Sequence, residues 1–155
     1  MTPVQVTPSA LARRFHQICV AVVTEALEGE DLTPLQYAVL AYLYVAPDID
    51  QNGLAARLGI DAASTSQLVD QLEQRGIVRR RVGREDRRVR LLRLTPAGAR
   101  LRERLHPIGR AAEIRILGAL EPAERQHLVE LLLRVLQANE AYARPGAGRR
   151  KPVRA

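Results

Sequence analysis

The chain has 155 residues, enough for one domain with a hydrophobic core of its own. With 46% hydrophobic and 26% charged residues it is typical of a soluble globular protein, and no apolar run approaches the roughly 20 residues of a membrane span. The single cysteine excludes internal disulfides, and no secretory signal is recognisable, so we expect a cytoplasmic protein without membrane contact. Metal-ligand spacing, a phosphate-binding loop and a GxSxG motif are all missing. We therefore expect no metal, no cofactor and no enzyme activity.

The formal net charge of +7 is unevenly distributed along the chain. Between Arg75 and Arg93 there are nine arginines and only two acidic residues, and residues 144–155 add five basic residues and no acid. The rest of the chain carries 10 basic and 15 acidic residues. Two basic segments on an otherwise mildly acidic protein indicate a polyanion that binds at a defined place.

Helical spacing of apolar residues predicts a first helix over residues 9–27. Its segment 18–23 is apolar without interruption, so this helix needs cover on nearly all sides, which one neighbouring layer cannot supply. A second helix begins after Thr33, with Pro34 at its first position and Gln36 completing a capping box, and ends near Val45.

Two short helices follow, over residues 52–58 and 61–75, with Gly59 between them. Asp61 is placed to cap the second helix and Gly76 to end it. Its residues Thr65, Leu68, Val69 and Leu72 should face inward. Two short helices with a tight turn and a polar outer face are typical of a helix-turn-helix.

The segments IVRRRV (77–82) and RVRLLRL (88–94) predict two strands joined by a turn over 83–87, with an apolar side formed by Ile77, Val89, Leu91 and Leu94. The crowded guanidinium groups repel one another, so the free protein gains nothing from them. DNA phosphates would relieve that repulsion. A helix-turn-helix followed by an arginine-rich hairpin is the arrangement of a winged helix, whose wing reaches the DNA backbone or minor groove.

Thr95 and Pro96 predict the start of a long helix that reaches about Leu117 and is interrupted at Pro107 and Gly109. Pro122 begins a last, amphipathic helix, with Glu121 as a weaker cap. The segment after residue 142 has no periodicity and is expected to be disordered.

The order of these elements resembles the MarR family of bacterial transcription regulators over about residues 11–139. LTPLQYAVL, LAARLGI, SQLVDQLEQRGIVRR, REDRRVRLLRLTPAG and LEPAERQHLVELL carry the resemblance. The most specific part is the wing, where D-x-R followed by LT-x-x-G is matched by Asp86, Arg88, Leu94, Thr95 and Gly98. The resemblance implies a mainly α fold with a small β-hairpin, in which the N- and C-terminal helices form an intertwined interface of an obligate homodimer.

The resemblance also implies the organisation of the chain. We expect a flexible N-terminus (1–8), a first dimerisation helix (9–32), a winged helix-turn-helix that binds DNA (33–95), the fifth and sixth helices as further dimerisation helices (96–142), and a disordered basic tail (143–155).

The predicted DNA-binding residues belong to the second helix of the motif and to the wing. By resemblance, Asp86 holds Arg88 or a neighbour in place, while Arg88 itself or Arg84 reaches DNA; alternatively, Asp86 is a plain turn residue. Many relatives carry arginine at or near Gln67 and Gln71. Glutamine favours adenine whereas arginine favours guanine, so we expect few base contacts, with phosphate contacts supplying much of the affinity. Ser64 and Ser66 fit a plain helix surface equally well. The full predicted set is Ala62, Ala63, Ser64, Ser66, Gln67, Gln71, Arg84, Asp86, Arg87 and Arg88.

Family members commonly bind aromatic acids where the first two helices meet the fifth helix and the DNA-binding module. Here Arg13, His16 and Tyr37 are the predicted ligand residues, because a cation can pair with a carboxylate while a tyrosine stacks on a planar ring. Purely structural roles for Tyr37 and His16 remain open.

The resulting hypothesis is a dimeric, sequence-specific regulator of transcription that binds a pseudo-palindromic operator in double-stranded DNA. The usual outcome would be repression, released by a small aromatic carboxylate. A redox sensor based on Cys19 is one alternative, although the apolar surroundings of Cys19 raise a thiol pKa and keep it inert. A non-specific architectural DNA-binding protein is the other.

Overall fold

A computed structural model describes residues 7–83 and 88–142. The predicted wing residues Arg84, Asp86 and Arg87 lie outside the described residues, as do segments 1–6 and 143–155. The predictions for the flexible N-terminus and the basic tail therefore remain predictions.

The described residues form a mainly helical fold with one small antiparallel sheet, a winged helix-turn-helix as expected. The sheet has the strand order β1-β3-β2, and β1 is a strand that the sequence did not predict, since two residues are too few to show a pattern. The helices are α1 (Pro8–Ala26), α2 (Pro34–Val45), α3 (Gln51–Leu58), α4 (Ala62–Gln74), α5 (Pro96–Ile116) and α6 (Pro122–Ala138), and the strands are β1 (Ile49–Asp50), β2 (Val78–Val82) and β3 (Arg90–Leu94).

Three helices start at a Thr-Pro pair, because threonine caps the first turn and proline is tolerated there. At α2 the predicted capping box is confirmed, with the Gln36 N–H donating to Thr33 Oγ1 at 3.2 Å and the Thr33 N–H donating to Gln36 Oε1 at 3.0 Å. Thr7 caps α1 through its side chain alone, which accepts from the Ala10 N–H, so that helix begins one residue earlier than predicted. The weaker start of α6 depends on Glu124, which accepts from the Glu121 N–H at 2.8 Å.

The core lies between α2, α3, α4 and the sheet, and includes the fully buried Leu40 and Leu54. The inward face of α4 is confirmed, since Thr65, Leu68, Val69 and Leu72 are all buried. The prediction of Leu91 on the apolar side of the wing is wrong. Leu92 and Leu94 are buried instead, because they share the inner face of β3 and Leu92 pairs with Ile49 of the unpredicted strand.

Helix α5 runs through Pro107 and Gly109 as one element, so the predicted interruption is wrong. A single proline removes one backbone hydrogen bond, and the flanking turns keep the remaining ones. Gly109 has a packing role: a Cβ built there would lie 1.9 Å from the Tyr37 hydroxyl oxygen. The missing side chain lets α2 and α5 approach each other closely.

The two ends of the chain expose apolar side chains that α2–α5 do not cover. Neither α1 nor α6 contains a buried residue. Leu11 and Ile18 on α1 are 52% and 51% exposed, and Leu133 and Leu136 on α6 are 50% and 58% exposed. Among the described helices, none combines the length and the apolar character needed to cross a bilayer.

Candidate nucleic-acid interface and ligand cavity

Helix α4, the second helix of the helix-turn-helix and therefore its expected recognition helix, is held at its start by an aspartate cap. The Ser64 N–H donates to Asp61 Oδ1 at 2.8 Å, and the Ser64 hydroxyl donates to Asp61 Oδ2 at 3.0 Å. Because its hydroxyl is engaged at the cap, Ser64 has a structural role of its own. The other predicted contacts lie on the same outer surface: Ala62, Ala63, Ser64, Gln67 and Gln71 are exposed, and Ser66 is half-buried.

Gln71 is tied to the start of α2. The buried Gln36 donates from Nε2 to Gln71 Oε1 at 3.2 Å, while its own Oε1 accepts from Thr33. The oxygen of Gln71 is therefore occupied within the protein. Gln67 is exposed and makes no such bond among the described residues, so its amide is free to bind a group outside the protein.

An arginine of the wing binds the acidic side of the recognition helix. Helix α4 carries Asp70 and Glu73 and no basic residue. Arg80 of β2 places Nη2 2.6 Å from Asp70 Oδ1 and also pairs with Glu73, whose Oε1 accepts from the Arg80 backbone N–H at 3.0 Å. Although burial opposes its charge, Glu73 and Asp70 raise the pKa of Arg80. We call these three residues the Arg80 clip.

A second wing arginine, Arg93, binds Asp48 through two hydrogen bonds, of which the Nε–Oδ1 bond measures 3.0 Å. These bonds hold the pKa of the Asp48 carboxyl below its ordinary value. The expectation that the free protein gains nothing from its crowded arginines is therefore wrong for Arg80 and Arg93. Sequence spacing did not reveal it, because the carboxylates come from α4 and from the loop before β1.

The described part of the wing still presents basic side chains at its surface, with Arg79, Arg88 and Arg90 exposed. The LT-x-x-G residues have a different role. Thr95 donates from Oγ1 to the Gly76 carbonyl at 2.6 Å, and a Cβ on Gly98 would lie 2.1 Å from the Ile77 carbonyl oxygen. These residues fasten the wing to the start of α5.

A cavity of about 640 Å³ lies between α1, α2, the α3–α4 turn and α5. Of the three predicted ligand residues, His16 and Tyr37 line it, whereas Arg13 is exposed on α1 and does not. Glu113 of α5 also lines it and was missed, since nothing in its sequence context singles it out. The remaining lining is mostly apolar: Cys19, Val20, Val23, Pro34, Leu35, Ala38, Ala41, Tyr42, Leu58, Gly59 and Ile60.

Two polar groups of this cavity are perturbed by burial. Burial raises the pKa of the Tyr37 hydroxyl, which packs against the bare backbone of Gly109. Burial also raises the pKa of the Cys19 thiol, which favours its protonated, less nucleophilic form. Nowhere in residues 7–83 and 88–142 do three or more His, Cys, Asp or Glu side chains gather as a metal site would require.

Comparison with known proteins agrees with this geometry. Residues 30–89 match the sequence profile described as MarR family. The transcriptional regulator HosA of Escherichia coli O157:H7 is 31% identical over 109 residues, 70% of this chain and 81% of HosA.

Two solved structures are similar as well. PcaV from Streptomyces coelicolor, in complex with its natural ligand, is 31% identical with a TM-score of 0.74, covering 89% of this chain and 99% of PcaV. Bordetella bronchiseptica BpsR, whose DNA binding is regulated by 6-hydroxynicotinic acid, is 27% identical with a TM-score of 0.78, covering 90% of this chain and 99% of BpsR.

Proposed function

Because the chain belongs to the MarR family of transcriptional regulators, we propose that it is a homodimeric repressor that binds a pseudo-palindromic operator and leaves it when a small aromatic carboxylate binds. The single observation that carries this proposal is the position of the 640 Å³ cavity. Its walls include α1, which belongs to the uncovered apolar surface, and the turn of Gly59 and Ile60 that leads directly into α4.

The uncovered faces of α1 and α6 support the homodimer. Side chains such as Ile18 and Leu136 would lose contact with water if two copies packed these helices together, and apolar patches of this kind are rare on monomers. A two-fold axis would then present two copies of α4 to DNA. Their half-sites should lie about one helical turn, roughly 10 bp, apart.

The polar chemistry of the cavity supports an aromatic acid. Tyr37 and Tyr42 offer ring faces, and His16 is the one lining residue able to carry a positive charge. Glu113 lies on the same wall and would repel a dianion, which favours a ligand with one carboxylate and a hydrogen-bond donor toward Glu113. BpsR, similar in fold, is regulated by an acid of this kind.

Release of DNA requires that the ligand prefer one spacing of the two recognition helices over another. A ligand bound between α1, α2 and the α3–α4 turn would contact both a helix of the proposed dimer interface and the turn that leads into the recognition helix. It could therefore favour one spacing of the two recognition helices. A coupling of about 1–3 kcal/mol, usual for allosteric proteins, would weaken operator binding roughly 5- to 150-fold.

Fluorescence anisotropy with labelled operator and labelled random DNA tests the proposal. Operator DNA should bind more tightly than random DNA, and an added aromatic carboxylate should release the operator. His16→Ala should remove this response while leaving affinity without ligand nearly unchanged. Equal affinity for both DNAs, insensitive to ligand, would support an architectural protein instead.

Sedimentation equilibrium tests the dimer separately. Leu136→Lys should shift the protein toward monomer, because it places a charge on the uncovered face of α6, and Gln137→Lys on the same helix serves as the control. A wild-type chain that stays monomeric and folded at micromolar concentration would contradict the dimer.

A further inference from the structure

Arg102 of α5 stands out among the arginines of that helix. Arg104 pairs with Glu30 at 2.7 Å, and Arg115 pairs with Glu25 at 3.0 Å, both near the protein surface. Arg102 is more enclosed, yet none of the described residues gives it a hydrogen bond or an ion pair. Buried polar atoms nearly always have a hydrogen-bond partner, so the covered Nε of this half-buried arginine, which has no partner among the described residues, requires an explanation.

Two aromatic rings hold this guanidinium in place. Its Cζ lies 5.4 Å from the centre of the Tyr44 ring and 5.9 Å from the centre of the Tyr37 ring. Both tyrosines belong to α2, seven residues apart, and thus lie on the same side of that helix. Contacts of a cation with ring faces leave the in-plane N–H groups of the guanidinium unused.

The unused donors lie beside a second, smaller cavity. Its volume is about 250 Å³, and it is lined by Tyr44, Arg102, Glu103 and His106. Arg102 Nε is fully covered and has no acceptor, so the Nη groups are the donors that can meet a ligand. Two Nη groups on a planar guanidinium form the fork that binds a carboxylate through both of its oxygens.

We propose that Arg102, with Tyr44 and His106, forms a second anion site that takes a small planar carboxylate. The site goes beyond the ligand cavity of the proposed function and is distinct from it, since Arg102, Glu103 and His106 do not line that cavity. The Tyr37 ring lies under Arg102 and also lines the larger cavity, so a bound carboxylate would fix one wall of the other site.

Glu103 is the one group of the small cavity that opposes an anion. Its Oε1 accepts from the Tyr44 hydroxyl at 3.3 Å, and among the described residues no ion pair joins it to Arg102. Because its charge would repel a carboxylate, Glu103→Gln should strengthen binding at this site. A purely structural role for Arg102 predicts no change for that variant.

The site can be tested with 4-fluorobenzoate as the probe, followed by ¹⁹F NMR at constant ionic strength. The full chain carrying His16→Ala serves as the background, so that the larger cavity contributes least. This background should retain saturable binding, and Arg102→Met should weaken it about 10-fold or more through loss of the charged fork. Arg102→Lys keeps the charge without the fork, so its affinity for 4-fluorobenzoate should lie between those of the background and Arg102→Met. Arg100, which is exposed on the same helix, provides the control: Arg100→Met should leave the affinity unchanged.

Equal affinity of Arg102→Met and its background would overturn the site and leave Arg102 as a contact of two tyrosines. A weakened dimer in sedimentation equilibrium, with unchanged probe binding, would overturn it too, because the guanidinium would then meet a carboxylate of the partner chain. If Arg102→Met does not fold, two other variants still test the site: Arg102→Lys should weaken probe binding, and Glu103→Gln should strengthen it. Failure of His16→Ala to abolish DNA release concerns the proposed function alone and leaves this comparison intact.

Discussion

Arg80 Nη2 lies 2.6 Å from Asp70 Oδ1, so a wing strand neutralises part of the acidic side of the recognition helix. In the proposed complex with DNA, α4 without this contact would bring Asp70 and Glu73 toward the phosphates with no basic residue of its own. The Arg80 clip thus removes a repulsion and at the same time fixes the wing against α4, where Arg80 Nη2 also reaches the Ser66 carbonyl at 3.4 Å.

Two effects of the Arg80 clip can be separated by mutation. Arg80→Met should lower DNA affinity about tenfold at low salt, because two carboxylates lose their positive partner and would repel the phosphates. The triple variant with Asp70→Asn and Glu73→Gln should recover most of that loss. Affinity measured by anisotropy over a range of salt concentrations checks both expectations. A triple variant as weak as Arg80→Met would mean that the clip acts only by holding the wing.

Substitutions of base-contacting and phosphate-contacting residues should change DNA binding in different ways. Gln67→Ala should reduce the preference for operator over random DNA, because an exposed amide on α4 can read a base edge. Gln71→Ala should have a smaller effect, since Gln36 already occupies its oxygen. Arg88→Ala should weaken both DNAs alike and lower the salt slope by about one. Identical behaviour of the glutamine and arginine variants would contradict this division.

The contact of Tyr37 with Gly109 should couple packing to the ligand response. Gly109→Ala forces a Cβ to within 1.9 Å of the Tyr37 hydroxyl, which should destabilise the fold by about 1–3 kcal/mol and blunt DNA release by an aromatic carboxylate. Adding Tyr37→Phe should restore stability only in part, because the ring carbon Cζ would still lie 2.6 Å away. Thermal unfolding and anisotropy measure the two effects. A Gly109→Ala variant with wild-type stability would show that α2 and α5 separate easily.

Cys19 should behave as a cavity residue and not as a sensor. Its pKa is raised by burial, so the thiol stays protonated at pH 7.5 and should react with iodoacetamide more slowly than glutathione does. An aromatic carboxylate in the cavity should slow that reaction further, because Cys19 lines the same space as His16. Mass spectrometry of the alkylated protein follows both rates.

Peroxide provides the matching control for Cys19. Peroxide should leave operator affinity unchanged in the wild type and in Cys19→Ser. Release of the wild type by peroxide, with no response of Cys19→Ser, would establish the redox alternative.

The local sequence determined where α2, α4 and α5 begin. Threonine before proline specifies a helix start through one side-chain hydrogen bond, and Asp61 does the same for α4, so these boundaries follow from neighbouring residues. The alternation of charged and apolar residues likewise predicted the two strands β2 and β3, although not that Leu92 faces inward, and the apolar spacing of α4 specified its buried face. The family resemblance follows from these same local segments.

Tertiary structure decided which charged residues remain available to a partner. Arg80 and Arg93 read as part of a basic patch, yet carboxylates from other elements neutralise them, because ion pairing depends on distance in space and not on separation along the chain. The sequence predicts a break in α5 at Gly109, whereas in the fold the missing side chain of Gly109 leaves room for Tyr37. The unpaired state of Arg102 is likewise visible only in the fold, because the sequence cannot show that two tyrosine rings of α2 pack against this arginine of α5.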